Sequence, residues 1–143
     1  MKYERHGPCK VPISKDASFF LDLDNDGNVF LYGQSDAGTS EVTPGVYANP
    51  GSQQFICKLS PDLATLGFGT VVGSGSGGVD FIPIAFMVDA CGYIYFSGHS
   101  ADFAAVPLSD DALYETGGMY LGVLEPEAVA LEYATKYSGN HVD

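Results

Sequence analysis

The sequence predicts an all-β fold made of two consecutive four-stranded antiparallel units, and three observations predict it. Composition is the first: nine Tyr, nine Phe and eighteen Gly among 143 residues, 45% of them hydrophobic, favour pleated strands and tight turns over helix. An internal repeat with an offset of 65 residues is the second. The third is punctuation, because Asp-x-x-Gly stands between apolar runs in both halves, and Asp-Gly between such runs signals a hairpin.

The repeat decides the organisation. Asp24-Asn25-Asp26-Gly27-Asn28-Val29-Phe30-Leu31-Tyr32-Gly33-Gln34-Ser35 lies on Asp89-Ala90-Cys91-Gly92-Tyr93-Ile94-Tyr95-Phe96-Ser97-Gly98-His99-Ser100. The same offset carries Phe55-Ile56-Cys57-Lys58-Leu59-Ser60-Pro61 onto Tyr120-Leu121-Gly122-Val123-Leu124-Glu125-Pro126, and Leu66 to Thr70 onto Leu131 to Thr135. Residues 1–15 belong to neither unit, 16–79 form the first, 80–143 the second, and His141-Val142-Asp143 look like the start of a third.

Each element follows from local pattern. In the first unit, strands are expected at 17–23 and 28–34 around the Asp24–Gly27 turn. A second hairpin is expected at 53–59 and 66–72 around Ser60-Pro61-Asp62-Leu63. The matching strands fall at 82–88, 93–99, 119–124 and 130–137. Residues 35–52 and 100–118 read as long connections rich in turn formers. Gly73-Ser74-Gly75-Ser76-Gly77-Gly78 reads as a flexible passage between the units. On the second strand, Val29 and Leu31 alternate with Phe30 and Tyr32, and Ile94 and Phe96 with Tyr93 and Tyr95. A strand apolar on both faces is one sandwiched between sheets.

These residues carry a resemblance. Asn25-Asp26-Gly27-Asn28-Val29-Phe30-Leu31-Tyr32-Gly33-Gln34, Thr43-Pro44-Gly45-Val46-Tyr47 and Gln54-Phe55-Ile56-Cys57-Lys58-Leu59 resemble the SBBP-type bacterial β-propeller repeat, as in large surface proteins of Bacteroidetes associated with gliding motility and type IX secretion. The resemblance spans about residues 16 to 143. It implies about two four-stranded blades of a partial propeller and a secreted or cell-surface location. It implies no catalytic site. Two blades leave apolar faces bare, so the chain is expected to pack against neighbouring blades, to self-associate with a second copy or to be a marginal monomer. The second unit departs from the pattern where Asp110-Asp111 replace Pro44-Gly45 and Gly122-Val123 replace Cys57-Lys58, so a differently built middle region is expected there.

A formal charge of −12 repels nucleic acid and anionic membrane surfaces. No run approaches the roughly 18 apolar residues of a membrane span, and no apolar stretch follows Met1–Pro8 as a cleavable leader requires. Of the three cysteines, Cys57 alternates with Phe55 and Leu59 and reads as a small core residue, while a Cys9–Cys91 bridge is left open.

Several motifs invite chemistry. Asp22, Asp24 and Asp26 begin as a calcium loop does, with alternate carboxylates before a Gly. The twelfth position is Gly33 instead of a bidentate Glu, and Asp89-Ala90-Cys91-Gly92 lacks the extra acids. A plain turn is the favoured reading, with those three aspartates as candidate calcium ligands and no other cofactor expected. Gly73-x-Gly75-x-x-Gly78 copies a dinucleotide fingerprint, but a strand follows where the phosphate-binding helix belongs. His99, Ser100 and Asp102 crowd together without the elements a triad needs, and Asp110-Asp111 or Glu125 with Glu127 read as acidic loops before they read as glycosidase pairs. Among the aromatic residues, Tyr47 and Tyr114 sit in the connections and are the candidate ligand-binding residues. The expectation is a non-enzymatic structural or adhesive module that binds protein or glycan through loop faces. The alternative is an enzyme acting on extracellular polysaccharide through acids at a propeller axis.

Overall fold

The computed structural model describes residues 16–35, 41–80, 82–99 and 106–138; the segment 1–15 and the third-unit start at His141–Asp143 lie outside them. Eight strands run in chain order: β1 (Asp16–Leu23), β2 (Val29–Ser35), β3 (Gln54–Leu59), β4 (Leu66–Val72), β5 (Ile82–Val88), β6 (Ile94–His99), β7 (Met119–Leu124) and β8 (Leu131–Tyr137). They form two four-stranded antiparallel sheets, ordered β1-β2-β3-β4 and β5-β6-β7-β8. One 3-10 turn at Pro126–Ala128 is the helical element among the described residues.

The repeat is kept in the hydrogen-bond register. Leu21 faces Leu31 and Phe86 faces Phe96; Tyr32 faces Ile56 and Ser97 faces Leu121; Gln54 faces Val72 and Met119 faces Tyr137. The irregularities recur at the same offset, between Ser18 and Phe20 and between Pro83 and Ala85, then between Lys58 and Leu59 and between Val123 and Leu124. Pro83 is tolerated because it stands at such an irregularity on an edge strand. The substitution of Gly122-Val123 for Cys57-Lys58 leaves the pairing of β7 unchanged, against expectation, because register is set by backbone and turn geometry.

The turns repeat too. Gly27 and Gly92 take φ of +80° and +89°, a region glycine enters without a steric cost. Their amides donate to the carbonyls of Asp24 and Asp89, each at 3.0 Å. At the other hairpin the Ser60 amide donates to Thr65 and the Glu125 amide to Ala130, at 2.9 and 3.0 Å, with Leu63 and Ala128 both at positive φ.

Residues directly opposite each other share a face of the sheet and successive residues alternate. Phe30, Tyr32, Ile56, Phe68 and Val72 therefore lie on one face of the first sheet, and Val88, Ile94, Phe96, Tyr120, Leu124 and Ala134 on one face of the second. These two faces form a single buried core. The Tyr32 ring meets Phe86 at 5.5 Å and Phe96 edge-on at 5.8 Å, and its hydroxyl donates to the Ser97 carbonyl at 3.2 Å. In repeat coordinates the two faces are different ones, since Phe86, Val88, Ile94, Phe96 and Leu124 correspond to Leu21, Leu23, Val29, Leu31 and Leu59, on the first sheet's opposite face. The sheets thus stack head to tail. On that opposite face Phe55, Cys57 and Val71 form a second, smaller buried cluster.

The connections lie against their sheets. Thr43 and Asn49 donate to the carbonyls of Gly69 and Val71 at 2.9 and 3.0 Å, so the first connection runs along the outer edge of β4. In the second unit Ser109 donates to Ala134 at 3.2 Å and Lys136 to Tyr114 at 2.9 Å beside β8. Edge strands covered in this way no longer offer a free ladder. The glycine-rich passage is also held, contrary to the flexible linker expected. Asp80 accepts from the amide and hydroxyl of Ser74 at 2.8 and 2.5 Å, Gly75 donates to Ser52 Oγ at 3.0 Å, and Gln53 Nε2 donates to Gly77 at 2.8 Å. Its glycines are needed for close approach: a Cβ on Gly75 would stand 2.8 Å from the Pro50 carbonyl oxygen.

Candidate functional site

The three candidate calcium ligands divide between β1, which holds Asp22, and the turn after it, which holds Asp24 and Asp26. Asp22 belongs to β1, and its carboxylate accepts from the Leu23 amide at 2.8 Å and, across the two sheets, from the Val88 amide at 2.8 Å. Asp24 faces the turn, where it accepts from the amides of Asp26 and Asn28 at 3.0 and 2.9 Å and from Asn28 Nδ2 at 2.8 Å. Burial would raise its pKa, but the Asn28 side chain, those two amides and the Lys58 charge outweigh burial and hold the carboxyl below its ordinary value. Asp26 is exposed on the turn. Among the described residues no three His, Cys, Asp or Glu side chains group to hold a metal ion. The carboxylates of Asp22 and Asp24 each accept N–H donors from this chain, and a calcium ion would need six to eight oxygens converging on one point.

Asp89 repeats the role of Asp24, accepting from the amides of Cys91 and Tyr93, both at 2.9 Å. The Asp-x-x-Gly motif is a turn in which a side chain replaces a missing backbone acceptor.

Tyr47 and Tyr114 hold corresponding places. The Tyr47 carbonyl accepts from Thr70 Oγ1, and the Tyr114 carbonyl from Thr135 Oγ1 at 2.9 Å. Their surroundings differ. Tyr47 is half-buried against the main core, its hydroxyl accepts from Asn49 Nδ2 at 2.9 Å, and its amide donates to the Ala128 carbonyl at 2.7 Å, joining the first connection to the second sheet. Tyr114 stands exposed on the outer edge beside β8, next to exposed Leu113. Of the two, Tyr114 alone offers an open aromatic surface.

His99 is exposed, while Ser100 and Asp102 lie outside the described residues. Glu127 is engaged by Lys58 Nζ at 2.5 Å, which takes one member from the Glu125–Glu127 pair. Cys91 is free and exposed, so it makes no bridge with Cys9, itself outside the described residues. Cys57 is buried as expected, but in a disulfide rather than as a free thiol.

Lys58 is the residue that sequence reasoning passed over. Its ammonium lies 5.5 Å from the Phe30 ring centroid, 3.7 Å from Asp24 and 2.5 Å from Glu127 of the second sheet's turn, linking the two units. The available signal was its isolation: a basic residue inside an apolar strand of an acidic chain, with Val123 at the matching place. No family model, no curated protein and no solved structure matches the chain.

Proposed function

We propose that this chain provides two blades of an SBBP-type bacterial β-propeller, a secreted or cell-surface module that binds a protein or glycan partner and has no catalytic activity of its own. The observation that carries this reading is the head-to-tail stacking of two sheets whose register, irregularities and turns recur 65 residues apart. Radially repeated four-stranded sheets are the architecture of propellers, and repeat proteins use the connections of each unit as binding surface. Tyr114 with Leu113 is the exposed aromatic and apolar pair on such a connection, and an exposed tyrosine suits stacking on a sugar face.

The test is retention of the chain on insoluble or immobilised polysaccharides (alginate, xylan, chitin, carrageenan), with release of reducing ends measured in the same tubes. Retention without release, weakened about tenfold by Tyr114→Ala, is expected, a loss of 1.4 kcal/mol. Steady release of reducing ends would overturn the non-enzymatic reading, and retention unaffected by Tyr114→Ala would remove that residue from the site.

A further inference from the structure

The interface between the two sheets is heterologous: one face of the first sheet meets the other face of the second. An interface of that kind leaves one copy of each partner face unused. On the second sheet, Ala85, Met87, Tyr95 and Val123 occupy the places that Phe20, Asp22, Phe30 and Lys58 hold at the internal interface. On the first sheet, Leu21, Leu23 and Leu63 occupy the places of Phe86, Val88 and Ala128. Their exposure tells the same story. Val88 and Ala128 are buried at 9% and 0%, whereas Leu23 and Leu63 are 54% and 51% exposed and Met87 is 50% exposed; Val123, on the same face as Met87, is already covered within its own sheet at 7%.

The open zones coincide with the zone used internally. The sheets meet where β5 lies against β1 and β2. The part of the first sheet's outer face over β3 and β4 is already covered, at Phe55, Cys57 and Val71, and its open part is β1 with the Leu63 turn. We infer that two copies of this chain associate head to tail, the Ala85–Met87–Tyr95 face of one receiving the Leu21–Leu23–Leu63 face of the next in the register of the internal interface. This rests on the repeat packing of the reading above and is independent of any glycan.

The internal interface also indicates how the one between copies differs. Lys58 pairs with Glu127 across the sheets. At the matching places stand Val123 and Asp62, so the new interface has an acid without its cation. Supplying the cation tests the register. Val123→Lys places an ammonium beside Tyr95 and Asp89, as Lys58 lies beside Phe30 and Asp24, and opposite Asp62 of the next copy.

Sedimentation velocity of the full chain over a wide concentration range is the measurement. The unaltered chain is expected to form a concentration-dependent series extending beyond the dimer. Val123→Lys tightens it about threefold, the scale of one partly exposed ion pair, and adding Asp62→Lys to that variant reverses the gain. Met87→Lys and Leu23→Lys change residues exposed in the monomer and so leave the fold intact. Each variant alone is monomeric, while an equimolar mixture forms a 1:1 complex, because each retains the face the other has lost. A mixture that stays monomeric, or a dimer that either single variant leaves intact, overturns the inference. Such a failure, with polysaccharide retention preserved, would leave the proposed binding function standing.

Discussion

Asp24 and Asp89 show how one side chain sets a hairpin in each unit. Each accepts two amides of its own turn while a positive-φ glycine closes the reversal. Removing Asp24 leaves those donors to compete for water or for nothing, at a cost of about 1–3 kcal/mol. Asp24→Ala is therefore expected to lower the melting temperature equally with and without calcium, and millimolar calcium is expected to leave that of the unaltered chain unchanged. A calcium-dependent rise that Asp24→Ala abolishes would show that the acids of the turn rearrange around an ion. The turn itself was legible in Asp-x-x-Gly, but the partner of Asp22 was not. The Val88 amide is 66 positions away, and only stacking of the sheets brings it within 2.8 Å.

At the level of elements, β6 and β7 show packing compensated between neighbouring strands. Phe96 lies across β7, and a Cβ on Gly122 would stand 2.3 Å from its ring. In the first sheet the same pair is Leu31 opposite Cys57, a smaller side chain facing a larger one. Gly122→Ala is expected to destabilise the chain by about 1–3 kcal/mol through overpacking, and Phe96→Leu in that background to recover part of the loss. Denaturant unfolding of the two single variants and the double variant measures the coupling. Independent, additive losses would mean that Phe96 and Gly122 are not packed as described. Strand positions were legible because alternation and turn residues are local properties. The path of the connections was not: variable Gly, Pro and Ser segments carry no periodicity, and hydrogen bonds to Gly69, Val71 and Ala134 hold them on the outer edges.

For the molecule as a whole, the core between the sheets is closed by phenols. Tyr32 is buried and bonded to the Ser97 carbonyl, and Tyr120 donates to the Pro107 carbonyl at 2.8 Å. Burial raises both hydroxyls above their ordinary value of 10.0, Tyr32 strongly, with each also raised by a neighbouring phenol. The folded state therefore keeps protons that the unfolded chain releases above about pH 10. Stability from these groups is complete below that pH and falls as pH rises toward the folded-state values. Chemical unfolding at stepped alkaline pH is expected to show this decline, with Tyr32→Phe less stable at neutral pH through loss of its hydrogen bond but less steep above pH 10. An unchanged slope in Tyr32→Phe would remove Tyr32 as a source of the alkaline sensitivity.

By itself the sequence determined what depends on near neighbours and on repetition. Apolar alternation, Asp-x-x-Gly turns and the 65-residue offset suffice for eight strands in two antiparallel sheets, because backbone pairing follows from pattern and turn geometry. Tertiary structure decided which face of each sheet is covered. Tyr32 and Phe96 are both apolar-strand residues in sequence, and only the head-to-tail stack places their rings in one core while leaving Leu23 and Met87 outside. It likewise decided that Lys58 bridges to Glu127 and that Tyr47 is held in the seam while Tyr114 is open. Burial and ion pairing depend on what the opposing surface presents, and a strand's own pattern does not specify that surface.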